Sequence, residues 1–163
     1  MMIDYLFNRI LDGEQPMILF TAFKGINNTS FQLVSQIGGQ SEFLTNSFRG
    51  VAKDVCGIEA QYDAVIMFGI DKNLKNKIRI EKCTRYNGEL IYTDFDVVVL
   101  EDRLKEYGIS YTVSDNPTRY LCNAAYYYML KKNLNTVFVH IPSIGKMNED
   151  FINTLVAFFK NYL

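Results

Sequence analysis

The sequence has no tryptophan, one histidine (His140), three cysteines and three prolines in 163 residues. One histidine and three scattered cysteines, with no C-x-x-C pair, argue against a zinc-type site; no metal is expected. The odd cysteine count (Cys56, Cys83, Cys122), in a chain too long to need covalent staples, reads as free thiols in a reducing cytosol. Neither charge sign dominates: 18 acids against 17 bases leave a net charge of -1. Phosphate contacts need concentrated basic charge, so nucleic acid is a poor partner. No apolar run approaches the ~20 residues of a membrane span. The start, Met1-Met2-Ile3-Asp4-Tyr5, has no basic region leading into an apolar stretch, so no signal peptide is read and a cytoplasmic location is expected. The tripeptides beginning at Asn27 and Asn28 match glycosylation acceptors only formally. Gly38-Gly39 lacks the Lys-Ser/Thr of a phosphate-binding loop, and no cofactor is expected.

What is present is a globular composition, 48% hydrophobic and 21% charged, at a length that suits one domain over residues 1–163. Residues 1–16 read as an N-terminal extension, with Ile3, Leu6, Phe7, Ile10 and Leu11 at the spacing of a short amphipathic helix. From residue 17 onward, short apolar runs alternate with helical periodicity. Met17–Ala22, Ala64–Phe68 and Val137–Ile141 read as strands buried on both faces. Lys77–Cys83 alternates and reads as a strand with one wet face, Phe43–Asn46 as a brief strand and Ile109–Val113 as another. Helices are expected after Thr29 or Ser30, over Phe48–Ile58, Asp96–Tyr107 and Tyr120–Lys132, and at the end over Asn148–Tyr162. This alternation predicts a three-layer α/β/α sandwich with a mainly parallel central sheet. The last helix is an amphipathic core helix rather than a membrane anchor, and Tyr126-Tyr127-Tyr128 spreads over several helix faces as packing.

In such sheets chemistry gathers at the carboxyl ends of strands, which directs attention to Gly69, Val113 and His140. His140 ends its strand just before Pro142; alone, a histidine there is more often structural. Cys122 opens a helix, where exposed N–H groups favour the thiolate, although a buried inert cysteine is the commoner case. Cys56 and Cys83 read as core packing. A strand-helix-strand return brings the helix start and the strand end to one edge, setting a thiol beside an imidazole. A third group should orient the ring; Glu81 is a candidate, against the plainer reading of a surface acid.

Ser114-Asp115-Asn116-Pro117-Thr118-Arg119-Tyr120-Leu121-Cys122-Asn123, followed by Phe138-Val139-His140-Ile141-Pro142, resembles the pyroglutamyl peptidase I (pyrrolidone-carboxylate peptidase) family of cysteine peptidases. Pro142-Ser143-Ile144-Gly145-Lys146, Ile80-Glu81-Lys82-Cys83, Thr21-Ala22-Phe23 and Ile26-Asn27-Asn28 are similar to further family segments in the expected order, over roughly Met17 to Leu163. The resemblance implies a peptidase-like α/β domain over residues 17–163, a triad of Cys122, His140 and Glu81, and substrate contacts at Phe23 and Asn27. It implies removal of an N-terminal pyroglutamyl or related acyl group from a peptide or small acyl-amide substrate. Family members occur as monomers and tetramers, so a homo-oligomer is left open. The loop after the first strand is shortened, Phe23 running directly into Lys24-Gly25 without the family's second aromatic, and Thr84–Asp94 is also short. The chain thus reads as a divergent, shortened member. The competing expectation is a catalytically impaired relative serving as a binding or scaffold protein.

Overall fold

Apolar runs without a wet face need cover on both sides, and the three in this chain become adjacent inner strands of one sheet. These are β1 (Ile18–Phe23), β3 (Ala64–Ile70) and β8 (Thr136–Ile141). With β2 (Gln40–Leu44), β4 (Ile78–Glu81) and β7 (Tyr111–Ser114) they form a six-stranded sheet of order β2-β1-β3-β8-β4-β7. The computed structural model describes residues 11–59 and 61–162. The expected helix from Ile3 to Leu11 lies outside the described residues but for Leu11. Neighbouring strands are parallel except β4 against β8, so the sheet is mainly parallel.

Strand alternation assigns the two faces. Phe20, Ala22, Ile66, Phe68, Ile78, Ile80, Val137, Val139 and Ile141 point to one side. There they meet α1 (Thr29–Ile37), α3 (Val97–Glu106) and the closing helix α5 (Glu149–Lys160). Leu19, Phe23, Val65, Met67 and Phe138 point to the other side, against α2 (Phe48–Cys56) and α4 (Leu121–Lys132). The result is the expected three-layer α/β/α sandwich. Among the described residues no helix is long and apolar enough to cross a membrane.

Side chains decide the helix starts. Asn28, not Thr29 or Ser30, caps α1: its Oδ1 accepts the Ser30 N–H at 2.9 Å and the Ser30 hydroxyl at 2.6 Å. Val97-Val98-Val99 alone favours a strand, but Asp96 accepts the Val99 N–H at 3.0 Å and starts a helix instead. The expected loop from Thr84 to Asp94 is largely a hairpin, β5 (Cys83–Tyr86) and β6 (Glu89–Tyr92). Its Asn87-Gly88 turn has positive φ at both residues, 51° and 78°, the tight turn that matches strand twist. Two further expectations are corrected. The polar face of the alternating β4 is not wet along its length, because Arg79 is half-buried and Glu81 is 4% exposed. And although β8 returns one strand away from β7, across β4, the crossover is not parallel, since β4 runs with β7 and against β8. β7 stops at mid-sheet, where Ser114 pairs with Glu81 and Glu81 with Phe138, and residues 115–120 carry the chain on to the start of α4.

Phe68 is fully buried, edge-on to Phe159 at 4.9 Å. Phe68→Ala is expected to lower the unfolding free energy by ~3–5 kcal/mol, read as a lower urea midpoint with unchanged m-value.

Candidate active site

Register builds the site before any side chain is considered. Gly69, His140 and Arg79 are laterally paired across β3, β8 and β4, and Met67, Phe138 and Glu81 form the row beside them. By alternation all six face α2 and α4. His140 and Glu81 are 5% and 4% exposed, and Nδ1 of the imidazole lies 2.8 Å from Oε1 of the carboxylate. A carboxylate only accepts, so Nδ1 carries the hydrogen and Nε2 keeps its lone pair in the neutral ring.

Arg79 completes a charged cluster. Its Nε donates to the same Glu81 Oε1 at 2.6 Å, and its Nη1 donates to Asp71 Oδ2 at 2.5 Å. Asp71 follows β3 and accepts the Asn73 N–H at 2.8 Å. Against the opposing effect of burial, that N–H and Arg79 hold the Asp71 carboxyl below its usual range.

Cys122 is the second residue of α4, whose N-cap, Tyr120, provides no side-chain hydrogen bond. The helix is pinned from two sides. Asn123 accepts from the Thr84 hydroxyl at 2.6 Å and donates to the Arg85 carbonyl at 2.6 Å, fixing its first turn to the hairpin. One turn on, the Tyr126 hydroxyl donates to the Glu81 carbonyl at 2.9 Å. The Cys122 sulfur thereby rests over Gly69, where a Cβ would lie 2.6 Å from it. Glycine is required by space here, because a methyl group would also meet the Phe138 ring at 2.8 Å. A cavity of about 500 Å³ opens at this point, lined by Cys122, His140, Arg79, Asp71, Ile70 and Tyr120 among others.

The helix start does not make Cys122 a resting thiolate. Burial pushes its thiol up to about 12; its own backbone N–H pulls down, Glu81 and Asp71 add to the rise, and Arg79 opposes it. Desolvation of the sulfur outweighs the helix end, so Cys122 is protonated at neutral pH.

Cys122, His140 and Glu81 line one small cavity on this face of the sheet. Phe23 lies on the same face but is buried in the apolar cluster against which Cys122 packs, and it does not line the cavity. Asn27 is exposed in the loop after β1, also away from the cavity lining. Val113 is an exposed residue of the outer strand β7. Cys56 is exposed rather than core, whereas Cys83 is buried and its thiol donates to the Asp115 carbonyl at 3.2 Å. Sequence reasoning pointed to Gly69 only as a strand end, not as the seat of the sulfur, and missed Asp71, Arg79 and Asn123. For Arg79 a signal existed, since a residue two before Glu81 in a strand shares its face; nothing local marked Asp71.

The chain thus sets a buried Glu-His pair and a cysteine at a helix start on one face of a mainly parallel three-layer α/β/α sandwich. No protein-family model matches the chain and no curated protein matches it. Solved structures do match. Pyroglutamyl peptidase I of Bacillus amyloliquefaciens superposes with a TM-score of 0.76 at 17% identity, over 90% of this chain and 95% of that one. Pyrrolidone carboxyl peptidase of Thermus thermophilus gives 0.72 at 17%, over 88% and 98%, and that of Thermococcus litoralis 0.71 at 15%, over 90% and 93%. The fold of this chain is the pyroglutamyl peptidase fold, along about nine-tenths of its length.

Two outcomes follow from the seat of the sulfur. Gly69→Ala is expected to cost ~1–3 kcal/mol of stability by overpacking, whereas Gly145→Ala, with nothing within 4 Å of the added Cβ, leaves the melting temperature unchanged. The fold also holds the thiol proton more tightly than the unfolded chain does. That contribution is complete below the unfolded value of ~8.5 and is lost as pH rises through about 12. Between pH ~9 and ~11 the unfolding free energy of the wild type should fall more steeply than that of Cys122→Ala, by up to ~1.4 kcal/mol per pH unit. Denaturant titrations across that range measure the difference in slope.

Proposed function

We propose that the protein is a cysteine peptidase of the omega-peptidase type, removing an N-terminal pyroglutamyl or related acyl group from a peptide through Cys122, His140 and Glu81. The reading rests on one observation above all: the buried 2.8 Å contact that leaves the His140 Nε2 lone pair free, on the sheet position next to the glycine that seats the sulfur. The neighbours in fold are peptidases named for pyroglutamyl or pyrrolidone-carboxyl groups, which supports this choice of substrate class.

With the thiol neutral at rest, proton removal accompanies attack. Nε2 of His140 takes the Sγ proton as sulfur bonds to the acyl carbon. The carbonyl oxygen becomes an oxyanion beside the uncapped N–H groups that begin α4. Collapse breaks the C–N bond, and Nε2 returns the proton to the departing amine. Water then attacks the thioester, giving one proton to Nε2 and its hydroxyl to the acyl carbon; the acid leaves and sulfur regains the proton. Glu81 holds the ring through Nδ1–H and balances the transient imidazolium. A free thiol of this kind suits a reducing compartment, and we assign the protein to the cytoplasm.

A second reading, a binding or scaffold protein on the same fold, is favoured by the cavity lining. Phe23 is withdrawn into the core, and Tyr120, the aromatic that does line the cavity, is 77% exposed, a poor wall for a lactam ring. Hydrolysis of a fluorogenic pyroglutamyl amide separates the two. The peptidase reading expects turnover by the wild type, background rate for Cys122→Ala, and a loss of ~10²–10⁴ in kcat for Glu81→Gln. Equal rates for wild type and Cys122→Ala would remove the sulfur from the chemistry, and the absence of turnover on any acyl amide would favour the binding protein.

A further inference from the structure

We propose that Arg79, anchored by Asp71, is a positioning residue: its guanidinium holds the Glu81 carboxylate in the orientation from which Oε1 accepts the Nδ1–H of His140, keeping Nε2 turned toward the cavity that Cys122 lines. Its consequence for rate rests on the reaction proposed above; its geometry does not. A cation serving only to neutralise buried Glu81 needs a single contact. Arg79 instead uses separate edges of its fork, Nε at 2.6 Å from Glu81 and Nη1 at 2.5 Å from Asp71, so the guanidinium plane is fixed at both ends. Asp71 is itself fixed by the Asn73 N–H at 2.8 Å. The third edge, Nη2, comes within 3.4 Å of His140 Nδ1. Because Nδ1 is already a donor to Glu81, two N–H groups face each other there, and the imidazole gains no alternative partner on that side.

Arg79 therefore acts on the imidazole twice. It fixes the acceptor that selects the Nδ1–H tautomer, and its charge offsets part of the pull of Glu81 toward imidazolium. The titratable and charged groups sharing cavity walls with His140 are Glu81 and Arg79 from β4, Asp71 and Lys72 after β3, Cys83 from β5, Tyr120 before α4, and Cys122 and Tyr126 from α4. Removing the Arg79 charge leaves Glu81 acting on His140 alone on its own strand, so the ring should protonate more readily.

His140 is the sole histidine, so its ring signals are unambiguous in the intact protein. Imidazole ¹H and ¹⁵N NMR titrations of wild type, Arg79→Met and Arg79→Lys test the proposal, with hydrolysis of the pyroglutamyl amide measured alongside. For Arg79→Met the expected result is a roughly tenfold rise in proton affinity, about one pH unit, with loss of the pure Nδ1–H tautomer and an equal upward shift of the acid limb of kcat/KM. Arg79→Lys keeps the charge but not the fork, so it should mix the tautomers with a smaller change in affinity. Wild-type tautomer ratios in both variants, with affinity changed by less than about twofold, would overturn the proposal. So would a lysine variant matching wild type throughout, since charge alone would then suffice. If Arg79→Met does not fold, Arg79→Lys and Asp71→Asn decide by the same tautomer measurement. A wild type without turnover would sink the peptidase reading and leave the NMR result standing.

Discussion

The contact between Glu81 and His140 sets the terms for everything around it. An ionised carboxylate that is 4% exposed is tolerated only if it is paired and hydrogen-bonded, and Nδ1–H of His140 and Nε of Arg79 both meet the same oxygen. The strand that meets this requirement, β4, runs against its neighbour β8. Reversal of β4 sets Arg79 opposite His140 and brings Glu81 onto the adjoining row, beneath α4. Tyr126, hydrogen-bonded to the Glu81 carbonyl, ties that helix to the same strand. The pair thus links sheet register, helix position and the tautomer of the ring.

The cysteine is placed by exclusion of volume rather than by attraction. Gly69 leaves a hollow in the row that contains His140, and the sulfur occupies it. Its burial works against ionisation, pushing the thiol up to about 12 despite the adjacent helix start. Burial therefore favours the neutral thiol over a preformed ion pair.

At 15–17% identity the likeness to pyroglutamyl and pyrrolidone carboxyl peptidases is one of fold. In this chain Phe23 serves the core, and the region after Glu81 is a tight hairpin held to α4 through Asn123. The cavity beside Cys122 is consequently bordered by Arg79, Asp71 and Lys72 as well as Ile70 and Tyr120.

Much of this was legible in one dimension. Continuous apolar runs marked β1, β3 and β8 because strands covered on both faces have no polar alternation to display. Periodicity and glycine stops marked the helices, and the segments around Cys122 and His140 carried the resemblance. Asn87-Gly88 signalled a hairpin that was read as loop. What the sequence determined by itself was the layering and which side chains carry candidate chemistry, because both follow from local spacing and side-chain chemistry. Only the tertiary structure decided that Arg79 and Asp71 join Glu81, that Gly69 seats the sulfur, and that the thiol is neutral. Those depend on strand order, on the direction of β4 and on how deeply α4 is buried, none of which is written in the neighbourhood of any one residue.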